Sequence, residues 1–428
     1  MSEKIYAMTL LLVVVWPLLL AIPILRAHLP WPRHLAIIPA AVLILVFQDV
    51  SLDLDWLLLG TGFAIDANVR WMLMLSVAVW LMAASVSTDS NRDTADDRAA
   101  TFFLLTMAGN LGAVLAADLV GFFCFSTIMG YGFYGLLIQG GNAAVRRAGR
   151  LYIIFLVAAD LALFEALLLA AFATQDLRFI AVQQAMAGSA TTSLYFWMAF
   201  AAFVLRAGIW PFHLWLTSLF KSASVSICLL VVGLPVATGL FGALRWLPLG
   251  LSASAGPGLV ILIIGITAVL FGLFRLFSRF SNRMLPGWGT VVLSGLFIAA
   301  LGVGLMQPAV WLQYAYLQYP LIAGIVLLLA VIIMLVGDSR DRHPEHDLAM
   351  DRVEALSREV AQRGGVMLQW SQNRVRQIRS FGLALWLKTV RQARRVIDRL
   401  KTVNVVSQWT ASITMFVLIG LALAWLAM

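Results

Sequence analysis

Apolar residues run through this chain in blocks of about twenty, the length of an α-helix that crosses a bilayer, with polar residues gathered in the short stretches between them. The pattern predicts spanning helices at 6–26, 34–49, 68–87, 100–117, 119–138, 150–174, 193–210, 222–244, 258–278, 288–306, 309–336 and 408–427, twelve in all. Strict alternation occurs in one place, "DVSLDLDWLLLGTGFAIDANVR" (49–70), where the glycines suit a turn and predict a short surface hairpin. A closed barrel would need alternation throughout, so the expected fold class is an all-α polytopic membrane protein. By pattern the chain divides into a helical part up to 337, opened by N-terminal helices with the hairpin (1–99), then a basic stretch (338–405) and a last span (406–428).

Composition sharpens this. Of 428 residues 62% are hydrophobic and 12% charged, far from the balance of a soluble domain. The first apolar run is too long for a signal peptide and no small-residue cleavage site follows it, so it reads as a first span. Cys124 and Cys228 lie in separate apolar runs, and no Cys/His cluster, nucleotide fingerprint or catalytic triad is present. No cofactor, metal site or catalytic centre is expected. The "HPEH" at 343–346 offers two imidazoles without a third ligand and reads as a solvated linker.

A net charge of +9 would suggest nucleic acid in a soluble protein; here it follows the loops. Arg26 and Arg33 share one side with Arg146, Arg147 and Arg150 and with Arg275, Arg279 and Arg283. By the positive-inside rule that side is cytoplasmic and both termini lie outside. Residues 338–405 carry a basic excess with Val353, Leu356 and Val360, then Ala393, Val396 and Leu400, at helical spacing. They predict a cytoplasmic amphipathic helix lying along the membrane, with anionic lipids as its partner.

Ionisable groups inside spans are expensive and tend to mark ion paths or partners. Asp160 and Glu165 fall in the sixth predicted span, Arg206 late in the seventh, and Asp118 at a helix end. The stretch "LRAGIWPFHLWLTSLFKSASVS" (205–226) adds Pro211, His213 and Lys221 where no simple helix can run. Pro211 removes a backbone donor and predicts a broken helix there. Broken helices at membrane depth commonly line a polar cavity, so a conduction site and a sealed re-entrant turn both remain open.

These residues also carry a resemblance. "LRAGIWPFHLWL" resembles the "GKSAQFPLHTWL" signature of the antiporter-like subunits of respiratory complex I and of Mrp-type cation antiporters. "FFLLTMAGNLGAVLAADLVGFFCFSTIMGYGFYGLLI", "WLLLGTGFAIDANVR" and "RMLPGWGTVVLSG" are similar to the family's fourth and fifth helices, its hairpin and its "KRILAYSTISQLG". The resemblance implies two inverted five-helix repeats; here 100–245 would be the complete one and 246–337 a truncated second. The final part, 338–428, is similar to the lateral arm of the largest antiporter-like subunit. The family pairs a glutamate with a lysine to drive proton movement, and the matching positions hold Thr127 and Arg206. Arginine does not deprotonate in proteins, so that step cannot be copied.

Two readings follow. Arg206 is a fixed positive charge beside Glu165 or Asp160, one of which carries the proton, with His213 a second candidate. Otherwise the pairing is structural, and the chain is a scaffold that clamps neighbouring subunits. The resemblance implies a subunit of a larger assembly in the bacterial inner membrane that moves protons or cations in step with a partner's chemistry. Within the family, the membrane subunit of an inorganic-carbon accumulation system, with a large zinc-containing soluble partner, is the specific expectation. Complex I-like and Mrp-like antiporter subunits are the alternatives.

Overall fold

The computed structural model describes residues 2–314, apart from breaks at 28, 30, 46–48, 55–59, 87–93, 140–142, 175, 190–193, 252–254 and 279–283. The expectations for the remainder of 309–336, for the lateral helix at 338–405 with its "HPEH", and for the last span lie outside the described residues.

In chain order the elements are α1 (Ser2–Ala21), α2 (Pro23–Arg26), α3 (Pro32–Leu35), α4 (Ile38–Ile44), β1 (Val50–Asp53), β2 (Gly62–Ile65), α5 (Ala67–Val86), α6 (Thr94–Leu115), α7 (Leu119–Gln139) and α8 (Ala143–Thr174). There follow α9 (Phe179–Ser189), α10 (Leu194–Ala207), α11 (Leu214–Ser222), α12 (Val225–Val231), a π-helical turn (Val232–Val236), α13 (Ala237–Trp246), α14 (Ala255–Ser278), α15 (Leu285–Met306) and α16 (Pro308–Tyr314). Among the described residues, seven stretches are long and apolar enough to cross a membrane: Ala67–Ser85 of α5, the Asp97–Leu115 part of α6, α7, α8, the run from α12 through α13, Ala255–Leu276 of α14, and α15.

Short helices account for most departures from expectation. The predicted span at 34–49 is α3 and α4, each begun by a proline in its first turn. The predicted span at 193–210 is only the fourteen residues of α10. Pro235 sits in the π-helical turn of the eighth predicted span, where a proline cannot donate to the regular ladder. The hairpin exists, with Val50 opposite Ile65 and Asp53 opposite Gly62, but it is no surface feature on its β2 side: Phe63 and Ile65 are buried.

Lipid offers no hydrophobic gain for bringing helices together, so close backbone approach decides packing. On the closely packed pair α14 and α15, Gly258, Gly265 and Gly272 recur every seventh residue; Gly258 faces Gly302, Gly265 faces Gly295 and Gly272 faces Val292. A Cβ at Gly302 would stand 2.5 Å from the Leu262 backbone nitrogen. Larger side chains fill the centre elsewhere: Phe122 meets Phe203, Phe179 and Trp246 edge-on, with ring centroids 6.1 to 6.4 Å apart. Arg26, at the end of the first predicted span, is buried: its Nη2 donates to Asp97 Oδ1 at 2.6 Å, tying the end of α2 to α6.

Candidate functional site

The break begins earlier than Pro211. Gly208 has φ +63°, the left-handed conformation that ends helices, and the last turn of α10 closes on it. Gly208 N–H donates to Leu205 O at 3.3 Å and Ile209 N–H to Val204 O at 3.2 Å, the paired bonds of a Schellman motif. Glycine therefore stops the helix, and Pro211 follows in the link before α11 begins at Leu214. Trp215 packs over the stop: a Cβ on Gly208 would sit 3.0 Å from its ring.

This stop leaves Arg206 in the final turn of α10, where the negative end of the helix favours a cation. Arg206 is 3% exposed and Asp160, on α8, 7%. Nη2 of Arg206 donates to Oδ1 of Asp160, forming a buried ion pair between the two helices. Nη1 of Arg206 and Oδ2 of Asp160 are also buried, and among the described residues neither closes a hydrogen bond. Thr127 stands beside the Asp160 carboxyl from α7, its buried Oγ1 closing no full hydrogen bond. Tyr131 and Tyr152 are further neighbours of the pair, and Tyr152 O–H donates to Gly130 O at 3.3 Å.

The other expected residues separate from this pair. Glu165, five residues on from Asp160, lies on the exposed side of α8. Lys221 is an exposed residue in the last turn of α11. His213 is buried at the start of α11, with Phe271 at 5.1 Å and Trp288 at 5.4 Å between ring centroids. The Pro211 backbone lies beside its imidazole, and among the described residues no bond joins it to Asp160 or Arg206. The Arg275 guanidinium lies over the Trp288 ring, 4.8 Å from its centroid.

The family described as NADH:quinone oxidoreductase/Mrp antiporter, TM, matches residues 116–341, more than half of the chain and the whole of this site. The chain belongs to that family. It is similar to a probable K(+)/H(+) antiporter component of Rhizobium meliloti (strain 1021), with 28% identity over 255 residues, covering 57% of this chain and 47% of that one. It is also similar to hydrogenase-4 component B of Escherichia coli (strain K12), with 26% identity over 210 residues, covering 48% of this chain and 31% of that one. This chain thus spans less than half the length of either relative.

Two solved structures share the fold. The Mrp complex from Dietzia sp. DQ12-45-1b matches with TM-score 0.61 and 16% identity, over 78% of this chain and 36% of that one. The membrane-bound sulfane sulfur reductase, an archaeal respiratory membrane complex, matches with TM-score 0.60 and 19% identity, over 77% of this chain and 55% of that one. The chain is accordingly a multi-pass membrane protein of the antiporter-like class.

One polar group went unread in the sequence. Asn110, fully buried on α6, accepts a hydrogen bond from Trp80 Nε1 at 3.0 Å and donates to Thr238 Oγ1 at 3.2 Å. A lone Asn between Gly109 and Gly112 in an apolar span was the available signal, since small residues beside a polar one favour close helix contact. Asp118, one of the costly charges of the sequence, is structural. Its two oxygens accept from Thr61 Oγ1 at 2.6 Å, Gly62 N–H at 2.9 Å and Gly121 N–H at 2.8 Å, joining the hairpin to the start of α7. Among the described residues, no three His, Cys, Asp or Glu side chains gather as a metal site requires.

Proposed function

We propose that this chain moves protons, or a cation exchanged for them, across the bacterial inner membrane as one subunit of a larger complex, with Asp160 as the carrier and Arg206 as its fixed counter-charge. The observation that carries the reading is the buried pair at a helix stop, with Oδ2 of Asp160 and Nη1 of Arg206 closing no hydrogen bond among the described residues. Beyond the bond that joins the pair, the second carboxylate oxygen of Asp160 is an acceptor where a proton can be taken up. Arg206 keeps its charge, so only the carboxylate can take up and release the proton. Protonating Asp160 removes the charge–charge attraction, leaving only a hydrogen bond, and loosens the contact between α8 and α10. The names of the relatives, a K(+)/H(+) antiporter component and a hydrogenase component, support ion movement within an assembly.

The test is proton movement in inverted membrane vesicles carrying the intact complex, read with a pH-sensitive dye. Asp160→Asn is expected to abolish movement, and His213→Gln to leave a substantial part of it. Full movement in an assembled Asp160→Asn complex would overturn the proposal and favour a scaffold role. Coupling to inorganic-carbon uptake through a zinc-containing soluble partner is a narrower form of the same proposal. Its test is whether a soluble zinc protein copurifies with the chain in mild detergent.

A further inference from the structure

Glu165 lies on a face of α8 that nothing among the described residues covers. The helix packs against α7, α10 and α11 with its other side. On the open side, Leu151, Ile154, Glu165, Leu168 and Phe172 are exposed, Phe172 at 91%. Their positions, with Ala158 and Leu161 between, advance by alternate steps of three and four residues. That spacing keeps them in one stripe along the helix, the geometry a second helix packed alongside would need.

The carboxylate sits deep along this stripe. At 1.5 Å per residue, Glu165 is about 22 Å along the helix from Arg150 and about 13 Å short of Thr174 at the other end. A bare carboxylate facing hydrocarbon is among the least favourable arrangements in a membrane protein, and such groups are found paired or facing water.

Several occupants can be weighed. A second copy related by a twofold axis along the membrane normal would set Glu165 against Glu165 at equal depth, joining like charges. The chain's own remaining apolar runs, 315–336 and 408–427, contain no Lys or Arg to neutralise it. The basic stretch 338–405 has cations but no apolar run long enough to span.

We infer that the exposed stripe of α8 is a docking seam for a transmembrane helix of another subunit, and that this helix carries a Lys or Arg that pairs with Glu165. The inference rests on reading the chain as one subunit of an assembly, but it is separable from proton movement. Asp160 reports on movement in an intact complex, and Glu165 reports on the complex itself.

The experiment places a photo-activated benzoylphenylalanine at Leu168, and separately at Leu161, in the full-length chain within its native membranes. After irradiation, the expected adduct joins a different polypeptide, on an apolar segment with a Lys or Arg within one turn of the crosslinked residue. Glu165→Lys should lower that adduct at least tenfold and shift the complex to smaller size on native gels. Exchanging the partner's cation for Glu should restore both. Glu165→Gln, a mimic of a protonated acid, should lower the adduct partially, which controls for misfolding. Adducts to lipid alone, adducts to a second copy, or an unchanged complex in Glu165→Lys would each overturn the inference.

Discussion

Arg206 and Asp160 meet across the interface of α10 and α8, each buried and each with one polar atom to spare. Removing one partner leaves an uncompensated charge, at a cost of about 3–5 kcal/mol. Replacing both with neutral, hydrogen-bonding groups of similar size removes most of that penalty. Asp160→Asn is therefore expected to lower the detergent-extracted melting temperature clearly, and Asp160→Asn with Arg206→Gln to recover most of the loss. Proton movement should stay absent in both. A double variant that regains stability and movement together would mean the pair is only a brace.

Gly208 predicts a backbone effect rather than a charge effect. An L side chain in the left-handed region costs roughly 1–2 kcal/mol, and the new Cβ would press on the Trp215 ring at 3.0 Å. Gly208→Ala is expected to destabilise the protein by at least that amount in thermal unfolding followed by size-exclusion chromatography. No loss of stability in Gly208→Ala would return the helix stop to the proline.

Sequence is a good guide here where one local property suffices. Apolar runs near twenty residues mark α5, α7, α14 and α15 within a few residues, because a spanning helix needs little but length and apolarity. The short helix α9 leaves no such mark, and α3 and α4 read as one span, since short helices carry no long apolar period. The hairpin's pairing was legible in its alternation, but its burial depends on Asp118, some fifty residues farther along the chain. Asp160 and Glu165 were equal candidates for Arg206 until the rotation of α8 placed one inward and the other outward. Rotation is a property of packing against neighbours, which no single helix encodes.

Asp118 should behave as a structural clamp without a transport role. Three donors converge on its carboxylate, and hydrogen bonds to a charged group contribute about 1.5–3 kcal/mol each. Asp118→Ala is expected to destabilise strongly and to open the turn between α6 and α7 to protease. Asp118→Asn, which keeps acceptor capacity, should lose less stability and retain most proton movement in the assembled complex. Loss of movement in a stable Asp118→Asn complex would place the residue on the proton route instead.

Asn110 poses the opposite case, a neutral group whose partners were invisible in sequence because they lie on α5 and α13. Asn110→Leu leaves Trp80 Nε1 buried without an acceptor, and a stranded buried polar group costs about 1–3 kcal/mol. Thr238→Val leaves the Trp80–Asn110 bond in place and strands only one Asn110 donor, so it should cost less than Asn110→Leu. If the network only holds α5, α6 and α13 together, both variants lower the melting temperature in that order, with movement per assembled complex preserved. If it also relays protons, Thr238→Val reduces movement well beyond its small loss of stability. Measuring both quantities on the same vesicle preparations separates the two, and the ordering in stability holds in either case.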